Sequence, residues 1–243
     1  MTRRLRADRL LVERGLFKSR AKAQAAIAAG LVTADAVVVR KASDEIPLEA
    51  QLSARAEHPW ASRGGVKLAA ALDHFHIDPR GRVCLDVGAS TGGFTDVLIA
   101  RGARRVYALD VGRDQLDARL RQRPEVVALE RTDVRALDAG RLAEPPNLIV
   151  ADVSFISLKL VLPAALRLAR FPAELIALVK PQFEAGPRGT RKGIVRDPGV
   201  QARACEEVAE LVRSLGWKLA GLLPSPVLGR AGNREFLLGA RHD

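Results

Sequence analysis

The chain has 243 residues, 48% hydrophobic and 28% charged, with 39 Lys and Arg against 28 Asp and Glu for a net charge of +11. That apolar fraction supplies a core and excludes a disordered chain, and no run approaches the roughly 20 apolar residues of a membrane helix. The cysteines Cys84 and Cys205 form no CxxC pair, which argues against a disulfide framework or a cysteine zinc site.

The start of the chain is charged and lacks the apolar segment of a secretion signal, so a cytoplasmic protein is expected. The cation excess points to a polyanionic partner held through its phosphates. Aromatics make up only 4% of residues, which disfavours a broad stacking platform as the main mode of recognition.

In chain order, the first segment is basic. Arg3, Arg4, Arg6, Arg9, Arg14, Lys18, Arg20 and Lys22 face only Asp8 and Glu13. Leu5, Leu10, Leu11 and Leu16 are spaced for a helix broken at Gly15. Ser19 reads as the N-cap of a second helix over 20–29, closed by Gly30. Short β-type runs follow at 31–33 and 37–39. Residues 1–58 therefore predict a small basic α+β module, with Pro59-Trp60 marking a linker over 59–62.

From 63 to 243 the pattern alternates. Apolar runs at 83–87, 105–110, 126–129, 147–151 and 175–179 predict strands, and 94–101, 158–169 and 201–215 predict helices. Strand signals at 217–223 and 235–239 close the chain. Strand-helix alternation of this kind predicts an α/β fold with a mostly parallel, doubly wound, Rossmann-like sheet. His58, His74, His76 and His242 have no ligand spacing, so no metal is expected. His74 and His76 flank Phe75 as in a strand and read as surface residues.

The first strand of this region runs through Asp86 into Gly88, Ser90, Gly92, Gly93 and Phe94. Glycines at a strand-to-helix turn let backbone amides approach a ligand and aim a helix N-terminus at it. Asp110, at the end of the next strand, is placed to accept from two ribose hydroxyls. A dinucleotide loop would carry a glycine where Ser90 stands, and Asp86 would repel a pyrophosphate. An acid there suits an ammonium group. The loop therefore resembles the S-adenosylmethionine loop of the class I methyltransferases, with Asp133 and Val134 facing the adenine.

Further charges stand at strand ends or in loops: Arg63 and Lys67, Asp152, Lys180, and Glu235. Asp152 and Lys180 end apolar strands, where burying a charge is costly. Lys67, Asp152, Lys180 and Glu235 resemble the lysine-aspartate-lysine-glutamate tetrad of ribose 2′-O-methyltransferases. The segment 6–39 resembles the αL RNA-binding domain shared by a small-subunit ribosomal protein and several RNA-modifying enzymes. With the motifs SRGGVKL, DVGASTGGF, ADVSFISL, KPQFE, KGIVRDP and GNREF, the whole chain resembles the TlyA family, historically labelled hemolysins, with an FtsJ-like methyltransferase domain.

That resemblance implies 2′-O-methylation of a cytidine in ribosomal RNA, with S-adenosylmethionine as cofactor and no metal. It favours the large subunit over the small, partly because the chain ends soon after Glu235. Lys180 would be the general base, Lys67 would favour its neutral form, and Asp152 and Glu235 would orient the amines and the hydroxyl. The implied RNA contacts are Arg3, Arg4, Arg9, Lys18, Ser19, Arg20 and Lys22 in the module, and Arg63, Arg188, Arg191 and Lys192 beyond it. Ribosomal RNA or a ribosomal subunit is the expected partner, a membrane is not, and a monomer is favoured. The alternatives are a non-catalytic RNA-binding or ribosome-assembly factor, and the cytolysin that the hemolysin label suggests.

Overall fold

The computed structural model describes residues 3–54, 58–186, 193–229 and 232–243. Two compact units divide the chain, Met1–Pro59 and Trp60–Asp243.

In the first unit, β1 (Arg4–Arg6) leads into α1 (Ala7–Glu13) and α2 (Arg20–Ala28). The short strands β2 (Val32–Ala34), β3 (Val37–Val38), β4 (Glu45–Pro47) and β5 (Leu52–Ala54) follow. β1 pairs with β4, and a separate sheet runs β3-β2-β5. Leu10, Leu11, Phe17, Ala23, Ile27 and Val32 fill the core between helices and strands. Leu16, grouped by spacing with the apolar face, is 42% exposed, and Phe17 takes the buried place. Ser19 caps α2, its hydroxyl accepting from Lys22 N at 3.4 Å.

The centre of this unit is an acid. Asp8 is fully buried, and its carboxylate accepts from Arg6 Nε at 3.1 Å, Arg20 Nη2 at 2.7 Å and Gln24 Nε2 at 2.7 Å. A buried carboxylate is tolerated only when its lone pairs are satisfied. Here one acid joins the β1–α1 junction to the first turn of α2.

In the second unit, α3 (Gly64–Phe75) precedes β6 (Val83–Val87), α4 (Gly93–Ala100) and β7 (Arg105–Leu109). Then come α5 (Ala118–Arg121), β8 (Val126–Leu129), β9 (Leu148–Ala151), α6 (Leu158–Leu166) and β10 (Ala173–Val179). The chain closes with α7 (Pro181–Glu184), α8 (Pro198–Ser214), β11 (Lys218–Pro224) and β12 (Phe236–His242). The seven strands lie in the order β11-β12-β10-β9-β6-β7-β8. β6 to β10 are parallel, while β12 runs antiparallel to β10 and to β11.

Every residue of β6 is buried, as expected for a strand covered on both faces. α3 and α4 bury Leu68, Leu72, Phe75, Phe94 and Leu98 in one core cluster. α6 and α8 bury Val161, Leu162, Val208 and Val212 in another.

Three expectations need correction. Residues 64–75 form a helix, so Lys67 projects from α3 rather than from a loop. His74 lies in that helix and His76 is its left-handed cap at φ +55°, not part of a strand. Trp60 to Ser62, expected as linker, pack within the second unit. There Ala61 N donates to Asp96 Oδ2 at 2.7 Å, and a side chain at Gly65 would collide with the Trp60 ring. Among the described residues no helix is long and apolar enough to cross a membrane.

The Asp8 network gives the first unit an acid sensitivity. Hydrogen bonds from the Arg6 guanidinium, then from Arg20 and Gln24, hold the Asp8 carboxyl well below the usual carboxylate range. The stabilisation is present above the unfolded value of about 3.9 and is lost as pH falls toward the depressed folded value. Replacing Asp8 with Asn is expected to cost about 1–3 kcal/mol and to flatten the decline in stability below about pH 4. Hydrogen exchange of 7–28 across that pH range is the check, and an unchanged acid profile would refute the role.

Candidate active site

The strand order places a switch point beside β6. The chain moves outward from β6 to β7 and β8, then returns to add β9 on the other side. In open α/β sheets the crevice at the carboxyl ends of such strands receives ligands. Here Gly88 follows the end of β6 and Asp152 follows the end of β9, and these two residues are nearly in contact. Gly88 has φ +85°, and a Cβ on it would stand 2.6 Å from the Asp152 carbonyl oxygen. Gly92, at φ +91°, is the N-cap of α4. The turn thus requires glycine twice, once for close approach and once for a left-handed start to the helix.

Asp110 fastens this turn from the end of β7. Its Oδ2 accepts from Ser90 N at 2.8 Å and its Oδ1 from Gly112 N at 2.7 Å. Each oxygen keeps a further lone pair, so the half-buried carboxylate remains able to receive a pair of ribose hydroxyls. Glu130, not singled out from sequence, organises the neighbouring loop. It accepts from Asp114 N, Gln115 N and Leu116 N at 2.9 to 3.2 Å. Its one legible signal is an acid immediately after an apolar strand.

Other loop residues are placed differently from expectation. Asp86, expected to face an ammonium group, is fully buried within β6. Its Oδ2 accepts from Thr95 Oγ1 at 2.6 Å and its Oδ1 has no hydrogen-bond partner. Burial pushes its carboxyl up to about 7, so it braces the turn from inside rather than opening onto the crevice. Phe94, expected beside the cofactor, is 2% exposed and packs with Leu68, Leu72 and Val97 in the core. Asp133 caps a short 3-10 turn, accepting from Arg135 N at 2.9 Å and Arg135 Nη2 at 2.6 Å. Val134 is buried with Leu129 and Leu137. Gly93 begins α4 against Ser62, and a side chain there would strike the serine hydroxyl.

The four tetrad residues form two ion pairs. Lys67 Nζ stands 2.5 Å from Glu235 Oε2, both side chains nearly buried. Lys180 Nζ stands 2.6 Å from Asp152 Oδ1 and donates to Ser154 Oγ at 2.8 Å. The Asp152 contact is one of charge and distance, since Oδ1 receives no directed hydrogen bond; the directed bond goes to Ser154. The α3 start lies against the second pair, for a Cβ on Gly64 would stand 3.5 Å from Asp152 Oδ2. Lys67 follows one turn later.

Two further features flank Lys180. Glu184 is buried and accepts from Ser157 Oγ at 2.5 Å and Leu158 N at 2.8 Å, tying α7 to the start of α6. Burial raises its carboxyl above the ordinary value. Phe155 is 87% exposed at φ +65°, with its ring 5.3 Å from that of Phe183. Its aromatic face is thus left open at a strained backbone position. From sequence it reads as one apolar residue among several, and its exposure is what distinguishes it.

The predicted RNA contacts divide. Arg3, Arg4, Arg9 and Lys18 are exposed and Lys22 is half-buried. Arg4 Nη2 also donates to Glu45 O at 2.8 Å. Arg20 is engaged by Asp8 and Ser19 by its cap, so both hold the module together. Arg63 is exposed beside the start of α3. Arg188, Arg191 and Lys192 lie outside the described residues. A depression of about 560 Å³ lined by Asp73, His76, Arg80 and Arg101 lies at the opposite end of the sheet from the glycine turn. Among the described residues no cluster of three His, Cys, Asp or Glu could hold a metal.

Comparison with known proteins agrees with this geometry. The FtsJ-like methyltransferase family matches residues 60–242 and the S4 domain matches 5–52. The chain is 45% identical over 244 residues to the 16S/23S rRNA (cytidine-2′-O)-methyltransferase TlyA of Mycobacterium tuberculosis, covering 99% of this chain and 91% of the relative. It is 36% identical over 179 residues to the 23S rRNA (cytidine-2′-O)-methyltransferase TlyA of Campylobacter jejuni, covering 73% and 69%. A solved structure from Streptococcus thermophilus that carries a hemolysin label is 37% identical with a TM-score of 0.78, covering 100% of this chain and 90% of that one. The chain therefore belongs to the TlyA, hemolysin-like group of the FtsJ-like methyltransferases, with an S4 domain at its N-terminal end.

Proposed function

We propose that this protein transfers a methyl group from S-adenosylmethionine to the ribose 2′-hydroxyl of a cytidine in ribosomal RNA, acting as a monomer in the cytoplasm. A large-subunit target is favoured, because the Mycobacterium tuberculosis and Campylobacter jejuni relatives share 23S rRNA in their names. The observation that carries the reading is the position of Lys180. Its amine pairs with the acid whose carbonyl meets Gly88, at the mouth of the switch-point crevice.

The crevice residues suit such a donor. Gly88 and Gly92 leave two points of the turn without a side chain, and the Asp110 carboxylate meets the ribose. When bound, the donor supplies a methyl group already activated by its sulfonium. The chain's own task is to hold the hydroxyl in line and take its proton.

Lys180 in its neutral form offers one lone pair for that proton, while Ser154 Oγ accepts an N–H bond that fixes its direction and Asp152 stands beside it. Lys67, held by Glu235, adds a second amine on the α3 side. Phe155 offers its exposed face to a base turned out of the RNA, since base-aromatic stacking holds single-stranded nucleotides.

Three outcomes follow. Lys180→Ala is expected to lower ribose methylation by about 10²–10⁴-fold while calorimetry still detects donor binding; methylation that persists removes Lys180 as base. Gly88→Ala is expected to lose donor binding and about 1–3 kcal/mol of stability, because both the left-handed backbone and the Asp152 carbonyl resist a Cβ. An alanine variant that binds donor normally contradicts the tight turn. Phe155→Ala is expected to raise the KM for RNA by roughly 5–150-fold, the equivalent of about 1–3 kcal/mol of stacking, with donor affinity unchanged. An unaltered KM would show that the ring meets no base.

A further inference from the structure

Beside Glu235 the second unit holds a cavity of about 410 Å³, lined among others by Ile194, Arg196, Gln201, Gly232 and Arg234. Its wall is built by buried amides. Asn233 is 4% and Gln201 6% exposed. Asn233 Oδ1 accepts from Val195 N at 3.1 Å, and its Nδ2 donates to Gly193 O at 3.0 Å. Gln201 Nε2 donates to Val195 O at 2.8 Å. The backbone ahead of Arg196 is thus clamped by two side chains, one from α8 and one from the turn before β12. The same turn carries Arg234.

The nearby acids are already committed. Asp197 caps α8, accepting from Gly199 N at 2.7 Å and Val200 N at 3.4 Å, and Glu235 is paired with Lys67. Arg196 and Arg234 are exposed and take part in no hydrogen bond or ion pair among the described residues. Two guanidinium groups brought to one cavity on a rigid wall repel each other until an anion joins them. Arginine also matches a phosphate with its planar pair of donors.

We propose that this cavity seats a backbone phosphodiester of the RNA next to the methylated nucleotide. The proposal rests on the RNA-methyltransferase reading and adds the point at which the strand is registered. Glu235 adjoins Arg234 in the chain and pairs with Lys67, so a phosphate held here would fix the strand beside the tetrad. Phosphate contacts set register without reading sequence.

The test uses the full-length protein and a 23S rRNA transcript, with binding measured across a salt series. Wild type is compared with the double variants Arg196→Ala/Arg234→Ala and Arg196→Lys/Arg234→Lys. Calorimetric binding of S-adenosylhomocysteine reports that each variant is folded. The alanine pair is expected to bind RNA about tenfold more weakly, with the slope of log affinity against log salt less steep by about 0.7, the value for one single-strand phosphate. The lysine pair is expected to keep the wild-type slope. An alanine pair with wild-type affinity and slope overturns the phosphate seat and leaves the enzymatic reading standing. Wild type that neither binds nor methylates ribosomal RNA while holding the donor analogue overturns that reading as well.

Discussion

The second unit depends on one close approach. The end of β6 passes so near the end of β9 that residue 88 has no room for a side chain beside the Asp152 carbonyl. Glycine there does two things at once. It lets the turn swing into the left-handed region before α4, and it draws two parallel strands together at the point where the strand order reverses. The crevice exists because the sheet is wound in two directions from β6. The residues lining it are those that happen to end β6, β7, β9 and β10.

On that frame the polar groups are arranged in pairs. Lys180 with Asp152 and Lys67 with Glu235 are each nearly buried, and an isolated charge in either position would be costly. Pairing makes the amines tolerable, and the staple from Glu184 to Ser157 and Leu158 keeps the Asp152 segment in register with the Lys180 segment. The two amines are thereby held in place by the fold itself, the kind of preorganisation from which enzymes gain most. The first unit uses the same device for a different end. Asp8 gathers Arg6, Arg20 and Gln24 to hold two short helices whose apolar core is small.

Much of this was legible in the residues. The central strands read directly, since strands covered on both faces are near-continuous apolar runs, as in Leu148–Ala151 and, broken only by Asp86, Val83–Val87. Asp152 and Lys180 were legible as charges following such runs, and Lys67 and Glu235 joined them only through the resemblance. The α3 helix was hidden by Gly64-Gly65, a pair that argues against a helix by propensity; Gly65 is there because the Trp60 ring occupies the space a side chain would need. Motif spacing located Asp86 and Phe94 but not the face each presents, and β6 and α4 turn them inward. The structural engagement of Arg20 by a buried acid and of Ser19 by a helix terminus was not visible to a linear reading. Phe155 was overlooked because its exposure arises from a backbone conformation with no sequence signature.

The central claim is that the Gly88 turn and the Lys180 amine face one crevice that holds the methyl donor. A crystal structure of the full chain with S-adenosylhomocysteine tests it most directly. The account predicts the adenosine ribose on Asp110 and the thioether sulfur between the glycine turn and Lys180. A ligand seated instead in the depression near Asp73 and Arg101, at the far end of the sheet, would contradict it.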